Sequence, residues 1–325
     1  MRKFFFTTIC ILFGMVLAQT AQALTISPPK FELDGNPGSI IKQVIKLFNE
    51  TEEAKVFYPS LQDFVARGEA GEPGLVEKSE FGLSEWVKID TGPIFLSGKE
   101  RKEIGFVVEV PENAEPGGHY AAILFSTQPP EKMQGATPIA IAGKVGSLVL
   151  LKVGGEILES GKLVEFDTKD GKSFFTHLPI DFYVRFENLG NVHLKPQGQI
   201  KITGLLDITS TPTTLLVNEA GGNALPQSIR RYDVNWTKPG LKTITNGIFE
   251  ELTHQWKGFA IGKFTAHLNL YYGTEGKQMA ASETFWVFPW LLILVLAVGV
   301  TVLVLGLKVG IRKYNAWIIR KAKNI

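Results

Sequence analysis

The chain has 325 residues with 34 basic and 32 acidic side chains, a formal net charge of +2, and 45% hydrophobic residues, among them 22 phenylalanines. Its single cysteine is Cys10, so a chain shortened past that point has no thiol, which excludes disulfides, zinc–thiolate sites and cysteine nucleophiles. The fold must hold by apolar burial, and the length allows two domains of ordinary size.

Residues 1–23 join a basic start, Arg2 and Lys3, to a short apolar run and a small-residue ending, Ala21-Gln22-Ala23. This is the pattern of a secretory signal peptide cleaved before Leu24, the alternative being an uncleaved N-terminal anchor, and Cys10 lies too deep in the apolar run to serve as a lipidation site. From Leu24 onward the dominant signal is alternation of apolar and polar residues. "KEIGFVVEV" places Ile104, Phe106, Val108 and Val110 on one face. Such a period of two predicts half-buried strands of antiparallel sheets. Arg67 to Gly82, "RGEAGEPGLVEKSEFG", reads as a long polar loop suited to recognition. Trp86 is flanked by Val87 in a strand pattern and is expected in the core. With Tyr58 and Phe81 it is also a candidate for stacking on a sugar, and no ligand-binding set can be fixed from sequence.

The stretch "PENAEPGGHYAAILF", Pro111 to Phe125, looks at first like a phosphate loop. A P-loop requires G-x-x-x-x-G-K-[ST], and the nearest approach, "GPIFLSGKE" from Gly92, has one residue too many and Glu100 where a hydroxyl belongs. The Gly117-Gly118 pair precedes a strand pattern, so Pro111, Pro116, Gly117, Gly118 and Tyr120 are read as a structural turn, with Tyr120 opening the next strand as a tyrosine corner. His119 has no partner at metal-ligand spacing, since His177, His193, His254 and His267 form neither H-x-H nor H-E-x-x-H. A structural or exposed role is expected for it. Asn49, within an N-x-T triplet, is expected to close a strand.

"VGSLVLLKV", Val145 to Val153, predicts a closing strand, and a boundary falls near Gly154-Gly155. Beyond it, "LPIDFYVRFEN" aligns Ile180, Phe182, Val184 and Phe186. "SIRRYDVNW" aligns Tyr232, Val234 and Trp236, and "GKFTAHLNLYYG" aligns Phe264, Ala266, Leu268 and Leu270. No helical pattern of length is seen before residue 285. The fold class is therefore all-β: two tandem immunoglobulin-like β-sandwich domains, 24–154 and 155–284, plus one C-terminal transmembrane helix.

That helix is placed at 285–307. It offers about 20 uncharged apolar residues, enough to cross a hydrocarbon core of ~30 Å. Phe285, Trp286, Phe288 and Trp290 cluster at its start as a headgroup belt, and Lys308, Arg312 and Lys313 begin a basic tail, 308–325. The positive flank predicts a cytoplasmic C-terminus and an extracytoplasmic 24–284 held at the cell membrane. In the tail, Ile311, Tyr314, Trp317 and Ile318 share one helical face, consistent with an amphipathic helix or with a plain stop-transfer tail. Without signal and tail, 26 basic residues face 32 acidic ones, a balance that argues against nucleic acid as a partner.

In order along the chain, "ISPPKFEL" (26–33), the "NPG" of Asn36 to Gly38 before "IIKQVIKLFN", "QDF" (62–64), "SEWVKID" (84–90), "VPENAEPGGHYAAILFST", "VRFENLGNVHLKPQGQIKI" and "FWVFPW" resemble the WxL-interacting-protein family of bacterial surface proteins. The resemblance implies a peptidoglycan-binding first domain, a second immunoglobulin-like domain, one span and a basic tail. Outside the C-terminal apolar run, where Trp290-Leu291-Leu292 begins the span, no W-x-L motif is present, so the resemblance implies the interacting partner of W-x-L proteins. The residues that carry the resemblance are turns and strand ends, which inform fold rather than ligand. No enzyme is expected: neither a G-x-S-x-G elbow nor a cofactor motif occurs. The expected partner is a wall polymer or a surface protein. The alternative is a scaffold that recruits secreted proteins by strand-edge pairing, without polymer binding.

Overall fold

The computed structural model describes residues 24–129, 144–204, 214–238, 240–241 and 247–323. The expected signal peptide, with Cys10, lies outside the described residues. The chain divides into two compact units, one taking in 24–65 and 73–157, the other 66–72 and 158–323.

The first unit contains β1 (Leu24–Ser27), β2 (Lys30–Gly35), β3 (Ile40–Asn49), β4 (Lys55–Arg67), β5 (Glu72–Val76), β6 (Val87–Ile89), β7 (Ile94–Leu96), β8 (Arg101–Glu109), β9 (Gly117–Ser126) and β10 (Val145–Val153). One sheet runs β1-β3-β8-β6 and the other β2-β10-β9-β4-β5, with β7 on β4. Strand β3 pairs antiparallel with β1 and β8, and β9 with β4 and β10, while β2 lies parallel to β10. The alternating residues supply the core: Ile45, Leu47, Phe106 and Val108 from the first sheet meet Ile123, Phe125, Val149 and Leu151 from the second. Phe31 and Phe106 bridge the two layers edge to face, their centroids 5.1 Å apart. Strand β9 lies inside its sheet and is buried along its whole length, which is why it reads as a continuous apolar run.

Asn49 ends β3 fully buried. Its Nδ2 donates to the carbonyls of Glu53 (2.8 Å) and Ser97 (2.9 Å), and its Oδ1 accepts the Thr51 amide (3.1 Å) and hydroxyl (2.7 Å). One side chain thus satisfies two turns, as a buried amide must. The expected loop from Arg67 to Gly82 is shorter than its polarity suggests. Glu72–Val76 pairs with β4 as β5, because Gly68 and Gly71 take φ of +61° and +82° at the turn between the two strands.

The second unit contains β11 (Gly161–Thr168), β12 (Phe174–Phe175), β13 (Ile180–Asn188), β14 (Gln197–Gly204), β15 (Thr214–Val217), β16 (Ser228–Trp236), helix α1 (Ile248–Lys257), β17 (Gly262–Tyr272), β18 (Lys277–Val287) and helix α2 (Trp290–Lys323). Its sheets run β11-β13-β16 and β12-β18-β17-β14-β15. The inward faces of β13, β16 and β17 are those the alternation marks. Trp236, Phe182, Phe264 and Phe175 surround Phe285 at centroid distances of 5.5 to 5.9 Å.

Phe285 therefore does not belong to the membrane-proximal aromatics with which the sequence groups it. Strand β18 continues to Val287, so Phe285 and Val287 turn inward and are fully buried, while Trp286 and Phe288 turn outward. Helix α2 starts at Trp290, five residues later than expected, and runs unbroken past Lys308 to Lys323. Trp290–Arg320 is long and apolar enough to cross a membrane, and it is almost wholly exposed. Helix α1 is an element the periodicity missed: ten residues with four charged or histidine side chains give too short and too polar a pattern.

On the outer face of the three-stranded sheet, Arg185 donates to both oxygens of Glu69 (2.8 and 2.6 Å) and to Glu165 (2.9 Å), while the Tyr183 hydroxyl donates to Glu165 (2.8 Å). The Arg185 hydrogen bonds hold Glu69 below its ordinary 4.5, and the Tyr183 hydroxyl, then Arg185, do the same for Glu165. In return the Tyr183 hydroxyl is pushed up to about 12.

Two outcomes are expected. Both carboxyls are depressed in the folded state, so their contribution is present above the unfolded value near 4.5 and is lost as pH falls through the folded values. Thermal unfolding of wild type should lose stability more steeply than Arg185→Gln as pH drops from about 5 to 3, an effect that salt weakens. Phe285→Ala should cost about 3–5 kcal/mol in denaturant unfolding of the full chain in detergent. A residue facing lipid would cost far less.

Candidate functional site

In the first unit a cleft of ≈ 470 Å³ opens beside the stretch that resembles a phosphate loop. One wall is set by Asp63 of β4. This carboxylate is 3% exposed and accepts the backbone amides of Ser79 (3.0 Å), Leu83 (3.1 Å) and Ser84 (2.9 Å). Three amide donors fold residues 79–84 around one buried charge, which the burial of a carboxylate requires. The chain then makes a single helical turn, Ser84–Trp86, before β6 begins at Val87. Trp86 consequently sits on a turn, not in the strand the sequence suggests. It is half-buried, packing on the core from one side and lining the cleft from the other.

The opposite wall is the turn from Pro111 to Pro116, closed by the Ala114 amide on the Pro111 carbonyl (3.1 Å). The two glycines that follow serve different ends. Gly117 has φ +131°, a conformation L side chains rarely adopt. At Gly118 a Cβ would lie 1.9 Å from the Tyr120 hydroxyl oxygen. Strand β9 thus opens at Gly117 rather than at Tyr120. Tyr120 is buried against Phe64, at 5.8 Å, and its amide donates to the Phe81 carbonyl at 2.7 Å.

His119 joins the two walls. Its Nε2 faces the Glu115 carbonyl (3.0 Å), its Nδ1 faces the Gly82 carbonyl (3.3 Å), and its ring lies 4.4 Å from that of Trp86. A neutral imidazole has one N–H, so one of these carbonyls accepts from the ring, and the two contacts together hold the ring between the walls. Among the described residues no group of three or more His, Cys, Asp or Glu side chains is placed to hold a metal ion.

The rim carries the exposed carboxylates Glu80, Glu85 and Glu115, the amide of Asn113, and Lys78, whose Nζ pairs with Glu85 at 3.0 Å. Of the aromatic candidates only Trp86 lines the cleft; Tyr58 and Phe81 do not. Asp63, the residue on which one wall depends, was visible only as a lone carboxylate among the apolar residues of β4. The expected anchor side chains lie in the second unit: Trp286, Phe288 and Trp290 are exposed where β18 passes into α2, and Lys308, Arg312 and Lys313 follow on the same helix.

No protein-family model and no curated protein sequence matches the chain. The fold is similar to those of solved fimbrial chaperones. The class 5 fimbriae chaperone CfaA matches with a TM-score of 0.38 at 11% identity, over 81% of this chain and 99% of that one. The Salmonella enterica SafA pilin–SafB chaperone structure matches with a TM-score of 0.35 at 9% identity, over 83% and 99%. The chaperone–tip adhesin complex of CFA/I fimbriae gives 0.36 at 13% identity, over 81% and 98%.

Gly118→Ala should destabilise the first unit by about 1–3 kcal/mol, since the new methyl must displace a buried Tyr120 ring. Urea denaturation of Gly118→Ala alone and combined with Tyr120→Phe measures this. Only part of the loss should return in the double variant, because the ring carbon Cζ, 2.6 Å from the new Cβ, remains after the oxygen is removed.

Proposed function

We propose that this chain is a single-span bacterial surface protein of the WxL-interacting kind. It holds two immunoglobulin-like sandwiches outside the membrane and binds a wall glycan, peptidoglycan, in the cleft between Trp86 and the Pro111–Pro116 turn. The observation that carries the reading is the cleft itself: one half-buried aromatic face with carboxylate, amide and ammonium groups around it. An aromatic platform takes the apolar face of a sugar ring, and the polar rim takes its hydroxyls and amides. The surplus of carboxylates on the rim disfavours a polyanion and suits a hydroxyl-rich polymer bearing amide or amino groups. A signal peptide at 1–23, α2 as the span and the basic residues after it together direct residues 24–284 outward and the C-terminus inward.

A second reading has its own observation. Strand β11 pairs with β13 along one edge and has no ladder partner on the other among the described residues. A secreted protein adding a strand there would make the chain an assembly scaffold. Lys162, Glu165 and Asp167 on that strand would restrict the pairing to a matched partner.

Detergent-solubilised full-length protein should sediment with isolated wall sacculi and lose sedimentation after muramidase digestion. Trp86→Ala should weaken it about tenfold or more. Failure to sediment with intact sacculi would overturn the glycan reading. Association with cell-surface proteins that survives digestion would favour the scaffold.

A further inference from the structure

Helix α1 is amphipathic in the reverse of the usual sense. A surface helix of a soluble domain turns its apolar side inward. In α1 the polar side chains make the inward contacts. Gln255 is fully buried, its Nε2 donating to Glu251 (2.9 Å), and Glu251 in turn meets His177 Nε2 (3.5 Å) and the Thr176 hydroxyl (3.4 Å). Of the four large apolar residues Leu252 is half-buried and three face out: Ile248 is 75%, Phe249 86% and Trp256 66% exposed. Phe249 and Trp256 lie two turns apart on one face. Thr253 stands between them, and its hydroxyl donates back to the Phe249 carbonyl (2.8 Å), so that face presents no unpaired hydroxyl proton. Thr301 inside α2 returns its hydroxyl to Ala297 in the same way (2.8 Å).

The position of α1 identifies what covers this face. The Gln255 Oε1 accepts the Leu292 amide at 2.9 Å, satisfying one of the orphan donors in the first turn of α2. Trp256, next in sequence to that cap, is therefore held beside the start of α2, where Trp286, Phe288 and Trp290 are also exposed. Exposed aromatics thus occur both on α1 and at the β18–α2 junction to which Gln255 ties it.

We propose that α1 is a membrane-surface helix whose Phe249–Trp256 face lies in the headgroup–acyl boundary of the outer leaflet, beside the point where α2 enters. The proposal rests on α2 being the span. Tryptophan and phenylalanine on one face are the residue types that partition into this layer, about 5–10 Å deep. With Glu250 and Lys257 both exposed, the helix carries little net charge, so its binding needs no anionic lipid. Gln255 couples the two helices, so the second unit would be held against the bilayer by two attachments instead of hanging from one.

The test uses the full chain with Cys10→Ser, which leaves no thiol, and one introduced cysteine at a time. Phe249→Cys and Trp256→Cys probe α1, Val298→Cys the middle of α2, and Leu216→Cys an exposed strand. Each is labelled with an environment-sensitive fluorophore in phosphatidylcholine vesicles carrying nitroxide at a shallow or a deep acyl position. Labels at 249 and 256 should be quenched about twofold more by the shallow nitroxide than by the deep one, with the order reversed at 298 and no quenching at 216. Quenching at 298 without any at 249 and 256 overturns the proposal and leaves the span intact. No quenching at 298 overturns the span and the proposal with it.

Discussion

The second unit is organised by what happens to residues 285–292. Phe285 is buried among four aromatic rings, and β18, which carries it, is paired with β17 along its length. Only Phe288 and Pro289 separate that strand from α2. A strand fixed by a ladder on one side and a packed ring on the other cannot slide, so the first turn of α2 is held to the sandwich, not tethered by a linker. The Gln255–Leu292 hydrogen bond closes the same junction from the other side. Helix α1, with Gln255 buried and Phe249 and Trp256 exposed, is tied to this junction.

The first unit applies polar burial to a different end. Asp63, His119 and Asn49 look like chemistry in a list of residues, and each makes close contacts with backbone groups. Burying them without partners would cost more than most single contacts contribute. Their work is to fix loops that have no ladder of their own. The second unit repeats the device: Asn188 ends β13, fully buried, donating to the Val192 and Ala224 carbonyls at 2.8 Å and accepting the Gly190 amide at 2.9 Å. In both units a strand-ending asparagine replaces several backbone pairings with one side chain. With these polar groups held by backbone contacts, what faces the cleft is the Trp86 ring and its charged rim.

A strand's alternation is a local property of the chain, so the faces of β8, β13, β16 and β17 could be read directly, and so could the apolar length of α2. The turn at Gly117-Gly118 was legible as a turn because paired glycines tolerate backbone angles other residues do not. The reason for the second glycine was not, since it lies in the ring of Tyr120 folded back over it. Phe285 was misplaced for the same kind of reason. An aromatic residue at the end of a strand and one at a membrane boundary have the same composition around them, and only the register of β18 on β17 shows which way the ring points. Helix α1 is not legible in the periodicity because it is short and its buried residue, Gln255, is polar while Phe249 and Trp256 face out. The Trp86 cleft joins β4, the turn before β6 and the start of β9, whose side chains meet through contacts spanning tens of residues. Taken alone, the sequence determined the strand faces, the apolar helix and the turns, because those depend on neighbours a few residues away. Tertiary structure alone decided which buried polar groups are spent, which aromatic lines a cleft, and which helix turns its apolar side outward, because each depends on what distant segments bring to the same place.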